Sequence, residues 1–153
     1  MHGVGKVGVP DNVLLKPGKL TDEEFELVKG HAEIGAESLS IAEKQLGSSS
    51  FLRVAKEIAL THHEKWDGSG YPNQLSGEAI PLSGRLMALV DVYDALISKR
   101  VYKPAFSHDT AKAIILEGKD KHFEPQIVAA FLAVEAEFQR IAHRYQDEQN
   151  IAA

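Results

Sequence analysis

Apolar residues recur at spacings of three and four along almost the whole chain, as they do on one face of an α-helix. Leu27, His31, Ile34, Ser38 and Ile41 follow this spacing, which predicts a helix from Thr21 to about Gln45. Thr21-Asp22-Glu23-Glu24 opens it as a capping box, in which Thr21 accepts from the backbone three residues on and Glu24 reaches back. His31 shares the apolar stripe and is therefore expected to point inward. A second helix is predicted over Phe51–His63, with Phe51, Ala55, Ile58, Ala59 and His62 on its inner face. Trp66 to Ile80 is rich in glycine, proline, asparagine and serine and is expected to be an ordered loop.

A third helix is predicted from Pro81 to Ser98, with a strong stripe of Leu82, Leu86, Leu89, Val90, Tyr93, Leu96 and Ile97. Gly84, Met87, Ala88, Asp91 and Ala95 form a smaller-residue strip beside it, where other helices approach closely. A short helix starts near Ser107 and stops at Gly118, a common C-terminal glycine. The last begins at Pro125, a favoured first position, and continues through Val128, Phe131, Leu132, Phe138, Ile141 and Tyr145. No segment alternates convincingly as a strand, and no internal repeat is visible. The expected fold is all-α, a bundle of about five helices. One domain is expected over residues 1–145, with a polar tail at 146–153.

Composition narrows the chemistry more than the fold. The 153 residues suit one domain, and the net charge of −5 argues against duplex nucleic acid as a ligand. With no cysteine, disulfides, thiolate zinc sites and iron–sulfur clusters are excluded, so any metal must use histidine, carboxylate and water. No run of 18 apolar residues predicts a membrane span, and no signal peptide is visible; the expected location is the cytoplasm.

The candidate chemistry starts at His62-His63, which ends a predicted helix and runs into a glycine-rich turn. With His31 and Asp91, both on inner strips, these residues make a candidate site of three nitrogens and one oxygen for a divalent metal. Each has a plainer account. An inward histidine is often a hydrogen-bonded core residue, His63 could cap a helix C-terminus, and Asp91 could pair with Arg85. His108 and His143 are expected to face solvent, and His122 to tie down a turn. Arg100 and Lys103 flank Tyr102 in a loop, where they suit either phosphate recognition or a solvated surface. Gly68-Ser69-Gly70-Tyr71-Pro72 either shapes a turn or lays Tyr71 as a lid over the core.

These residues resemble the HD-GYP domains, a bacterial branch of the HD superfamily of metal-dependent phosphohydrolases. The matching stretches are Met1 to Pro10, Leu14 to Gly18, His31 to Gly35, Thr61 to Pro72, Ala88 to Leu96, Arg100 to Lys103 and His122 to Pro125. Together they reach to about Leu132, and His-His-Glu followed by Asp-Gly-Ser-Gly-Tyr-Pro is the most specific of them. The resemblance implies an HD-superfamily helical bundle with two or three metals, usually iron or manganese. It implies cyclic di-GMP as substrate, hydrolysed to linear pGpG and, in many members, on to GMP. By resemblance, His2, His31, His62, His63 and Asp91 are metal ligands. Lys6 lies near the attacking water, Gly70-Tyr71-Pro72 is the signature loop beside the site, and Arg100 and Lys103 hold substrate phosphates. Paired metals activate a water and clamp phosphate oxygens, and cations offset transition-state charge.

The chain departs from the pattern at Gly3, where the family carries the aspartate that bridges two metals. The family helices that precede the HD pair, with a glutamate and a histidine ligand, are expected to be missing. At most one well-formed metal site is therefore expected, at the three histidines. An apolar surface left by missing helices leads to the expectation of a homodimer or a swapped arrangement. The function expected is a cyclic di-GMP phosphodiesterase by lineage, weak or inactive. Its alternative is a degenerate signalling module that binds cyclic di-GMP or a partner protein without turnover. A phosphohydrolase for another nucleotide is the third reading. Other cyclic di-GMP signalling proteins are candidate partners through the glycine-rich loop.

Overall fold

The computed structural model describes residues 3–47, 49–98 and 105–151, with side chains to residue 144. Eight α-helices occur among them: α1 Asp11–Leu14, α2 Asp22–Lys29, α3 His31–Leu46, α4 Ser50–Thr61, α5 Leu82–Ile97, α6 His108–Glu117, α7 Pro125–Ala133 and α8 Glu135–Ile151. Short 3-10 helices lie at Val4–Gly8 and Gly77–Ala79. No strand is present among the described residues, only an isolated bridge between Lys119 and Phe123. The all-α expectation holds, and the count exceeds about five because two predicted helices are each broken once and the one-turn α1 shows no apolar periodicity in sequence.

The first break is at Gly30, where α2 ends and α3 begins. Glycine is a weak helix former, and the Val28 carbonyl one turn back receives the His31 ring. The second is at Val134, whose backbone leaves helical geometry at φ −119°, ψ 17°. Beyond it α8 returns Phe138 against Phe131 and Tyr93. Local signals are otherwise obeyed. Both bonds of the Thr21–Glu24 capping box form, Ser49 and Ser107 cap α4 and α6, and Pro125 opens α7.

Two unlike cores organise the bundle. The larger joins Leu89, Tyr93 and Ile97 of α5 to Ala111 and Ile115 of α6, then to Phe123 and to Ile127, Val128 and Phe131 of α7. The smaller lies between α3 and α4 and is made of Leu39, Ala55 and Ala59, with Leu52 against it. Here the buried face of α3 is His31, Ala32, Gly35, Ala36 and Leu39, rotated from the expected Leu27–Ile41 stripe. Leu27 and Ile41 are exposed, as are Phe51 on α4 and Leu82, Leu86 and Val90 on α5. Small residues carry a weak hydrophobic signal in sequence, yet they let helix backbones approach closely. A Cβ placed on Gly35 would lie 3.5 Å from that of Ala59.

The Val4–Gly8 turn lies across the start of α3 at the same close range. A Cβ on Gly5 would meet the His31 carbonyl oxygen at 1.9 Å, so only glycine fits there.

Candidate metal centre

The seam of small residues between α3 and α4 sets the geometry of the site. His31 is the first residue of α3, and His62 is the residue that caps the end of α4. The two helices run in opposite directions, so the start of one meets the end of the other. His63 is the next residue in the turn. Candidate ligand atoms of His31, His62 and His63 all lie within 4.8 Å of one another. His31 and His62 are almost fully buried at 1% and 2% exposure.

Backbone contacts fix which nitrogens are left to act. His31 Nδ1 lies against the Val28 carbonyl, and His62 Nδ1 lies 2.9 Å from the Ile58 carbonyl and 3.1 Å from that of Ala59. A carbonyl oxygen only accepts, so each Nδ1 carries its hydrogen, and in a neutral ring Nε2 holds the lone pair. The two Nε2 atoms face each other at 3.4 Å. Two lone pairs at that range repel unless a cation lies between them. Two nitrogens held at ~2.1 Å by one tetrahedral ion stand ~3.4 Å apart. Backbone carbonyls orienting the far ring nitrogen are the usual support of metal-binding imidazoles. The donor set therefore fits a borderline divalent ion, and the cluster could hold one.

A loop closes over the cluster. Tyr71 stacks on His63 with ring centroids 4.7 Å apart at 24°, and its backbone N–H donates to the His63 carbonyl at 3.2 Å. Gly70 permits this approach. A Cβ there would lie 2.4 Å from Lys65 N and 2.5 Å from both Glu64 Cα and the His63 carbonyl oxygen. The Tyr71–Pro72 peptide is cis. Burial, with the Asp91 carboxylate adding to it, pushes the Tyr71 phenol up to about 12. Tyr71 is thus a neutral donor at ordinary pH, and Asp91 is electrostatically tied to it.

Glu64 secures the loop from below. It is 1% exposed, and its carboxylate accepts from the backbone N–H groups of Asn73 at 2.7 Å and Leu75 at 3.0 Å. Sequence reasoning noted Glu64 only as part of the His-His-Glu string. Its signal there was a carboxylate next to two inward histidines, without any hint of its partners nine and eleven residues on. On the far side Trp66 N and Asp67 N donate to the carbonyls of His122 and Lys121. The expectation that His122 ties down a turn is met by these bonds. Burial, reinforced by Lys65, lowers the His122 imidazole to about 4.

The remaining sequence candidates divide. Tyr71 stacks on His63, whereas Asp91 is linked by its charge to Tyr71 and is not among the ligand atoms that cluster within 4.8 Å. Lys6 is exposed, with its side chain folded back over Gly3, where a Cβ would lie 3.7–3.9 Å from Lys6 Cδ, Cε and Nζ. His2, Arg100 and Lys103 lie outside the described residues. Asp91 does not pair with Arg85. That guanidinium is 2.7 Å from Glu124 and lies over Trp66. His108 does not simply face solvent either, because its Nδ1 is 2.9 Å from the Tyr93 hydroxyl and its ring packs near Phe131. His143 is exposed as expected.

The HD domain family profile matches residues 1–127. The chain belongs to the HD domain family. Within it, the loop Gly70-Tyr71-Pro72 and the relatives place the chain in the HD-GYP branch. A cyclic di-GMP phosphodiesterase of Vibrio cholerae is 73% identical over 147 residues, covering 96% of this chain and 30% of that protein. A 3'3'-cGAMP-specific phosphodiesterase of the same organism is 48% identical over 132 residues, covering 86% of this chain and 24% of that protein. The HD-GYP chain thus spans about a third or less of the length of these curated relatives. A crystal structure of a cyclic GMP-AMP specific phosphodiesterase of V. cholerae matches with a TM-score of 0.57 over 92% of this chain and 36% of that one. At 20% identity that match shows the shared HD fold. Among the described residues, no helix is long and apolar enough to cross a membrane.

Proposed function

We propose that this chain is a metal-dependent phosphodiesterase domain for cyclic di-GMP, with its hydrolytic step impaired by the glycine at position 3. The observation that carries the reading is the pair of buried imidazole Nε2 atoms facing each other at 3.4 Å beneath the Tyr71 loop. Relatives named as cyclic di-GMP phosphodiesterases, at 73% and 45% identity, support the substrate.

His31, His62 and His63 would hold the divalent ion, iron or manganese, and Asp91 with His2 would complete a neighbouring position. Bound ions of this kind polarise phosphate oxygens and make water nucleophilic near neutral pH. The residues of the chain do the rest. Val28, Ile58 and Ala59 carbonyls hold the imidazoles in the tautomer whose Nε2 carries the lone pair. Tyr71, neutral and able to donate, covers His63 and excludes water from one side of the cluster. Lys6, Arg100 and Lys103 bring cations to the phosphate and offset the charge that develops in the transition state. Gly3 supplies no carboxylate where the family has one, so the anion that would join two metal positions is missing.

Gly3 also favours a second reading, a module that binds a cyclic dinucleotide without turning it over. Metal content and cyclic di-GMP turnover measured on one preparation separate the two, with Gly3→Asp beside the wild type. Divalent metal lost in His62→Ala, slow formation of linear product and faster turnover in Gly3→Asp are the expected results. Turnover in the wild type that Gly3→Asp fails to raise would refute the impairment. Binding without product in either protein would establish the second reading. No retained metal and no bound dinucleotide would refute both.

A further inference from the structure

A cavity of about 550 Å³ opens beside the Tyr71 loop, against the junction of α2 and α3. None of the three histidines lines it, but it adjoins their cluster, since Tyr71 lines it and stacks on His63, and Gly30 lines it and precedes His31. Neither the HD family match nor the three-histidine geometry gives this cavity a role.

Three parts of its lining carry the argument, beside Lys65, Ser69 and Gln74, which also line it. Phe25 and Tyr71 meet edge to face at 82° with centroids 6.2 Å apart, forming an aromatic corner, and Phe25 is 44% exposed. Lys29 stands over both rings, its Nζ 5.1 Å from the Phe25 centroid and 5.7 Å from that of Tyr71. Glu26 holds that ammonium in place by an ion pair. Glu33, in the first turn of α3, also lines the cavity and forms no ion pair with a described residue. An aromatic corner, a fixed ammonium and a separate carboxylate therefore face one space.

We propose that this cavity is a guanine-recognising subsite, formed by the Phe25–Tyr71 corner with Lys29 and Glu33; the assignment rests on the cyclic dinucleotide reading above. Since one face of Tyr71 is already stacked on His63 and Lys29 stands over the other side, a planar base packs against the exposed Phe25 ring whatever its identity. Selection comes from the polar edges. Guanine presents O6 and N7 as acceptors, which suit the remaining hydrogens of the Lys29 ammonium. Its N1–H and N2 amino group are adjacent donors, which suit the two oxygens of Glu33. Adenine sets a lone pair at N1 and an amino group at C6, so the same carboxylate meets a lone pair and the same ammonium meets a donor. The cavity thus discriminates between bases, whereas the metal cluster and the cations act on phosphate.

The test is titration calorimetry with GMP, AMP, cyclic di-GMP and cyclic di-AMP on the wild type, Glu33→Gln and Phe25→Leu. Glu33 is exposed, so Glu33→Gln is expected to fold, and a melting curve checks this. The wild type is expected to prefer the guanine ligand of each pair by about tenfold or more. Glu33→Gln is expected to weaken guanine ligands by about the same factor and adenine ligands by less than about twofold. Phe25→Leu is expected to weaken both bases alike. Absence of guanine preference in both pairs, or equal weakening of both bases by Glu33→Gln, overturns the subsite. Cyclic di-GMP turnover with such base-blind binding sinks the subsite alone. A Glu33-dependent preference for GMP without binding of cyclic di-GMP sinks the phosphodiesterase reading alone.

Discussion

Gly70→Ala separates a packing requirement from a conformational one. Gly70 does not sit at positive φ, so an alanine there meets no backbone strain of its own. The cost lies in contact. Its Cβ would stand 2.4 Å from Lys65 N and 2.5 Å from Glu64 Cα and the His63 carbonyl oxygen, all of them backbone atoms. Ordinary contact begins near 3.4 Å, so the two backbone segments must part by about 1 Å. That separation breaks the Tyr71 N–H to His63 carbonyl bond, now 3.2 Å, and lifts Tyr71 from His63. Overpacking costs about 1–3 kcal/mol and an unpaired buried polar group about 1–3 more. The reduced freedom of the unfolded chain returns about 0.4–1 kcal/mol. The net expectation is about 2–5 kcal/mol, or a fall in Tm of roughly 5–15 °C for a chain of this size. Gly77→Ala is the matched control, because Gly77 has φ +56° and nothing within 4 Å of a Cβ. It bears only left-handed strain, about 1 kcal/mol. Urea unfolding of both variants, with Tm as a second readout, measures the difference. If Gly70→Ala is no less stable than Gly77→Ala, the account of the loop's close approach is wrong.

Three further expectations follow from the same geometry. Glu64→Gln leaves one acceptor for two backbone donors and should cost about 1–3 kcal/mol; hydrogen exchange at the Asn73 and Leu75 amides should quicken, and unchanged exchange would contradict the anchoring role. Arg85→Met strands the Glu124 carboxylate, which is 9% exposed, and should destabilise by roughly 3 kcal/mol; Arg85→Met with Glu124→Gln should recover much of this in denaturant melts, and no recovery would mean the pair is not what matters. His122 binds its proton less readily folded (about 4) than unfolded (about 6.5), so the unfolded chain takes up more protons in that window. Its contribution to stability is therefore full above about pH 6.5 and lost as pH falls toward about 4, and in His122→Gln the pH slope of unfolding free energy should flatten there.

Sequence periodicity carried the helices wherever apolar residues were large and the caps local. The capping box, the helix over Leu82–Ile97 and the loop after Trp66 all follow from neighbours in the chain. The convergence of His31 with His62-His63 was legible because three unusual inward histidines share one chemistry. What escaped depends on residues far apart. The inner face of α3 is built from Ala32, Gly35 and Ala36, whose packing shows only against Ala59. The break at Gly30 reflects local weakness joined to a ring contact that periodicity does not encode. Glu64 looks like a surface acid until the backbone of Asn73 and Leu75 folds over it. Arg85 and Glu124 are thirty-nine positions apart, and no local pattern links them.

The separation of the two cores bears on how such a domain ages. The aromatic core of α5, α6 and α7 contains none of the three clustered histidines, which belong to the thinner seam of α3 and α4. Substitutions at the histidine cluster therefore leave most of the buried apolar mass untouched. A lineage on this architecture can change residues around its histidine cluster and still inherit a folded body. Change at one end of such a domain is then a short path, open to selection at each step.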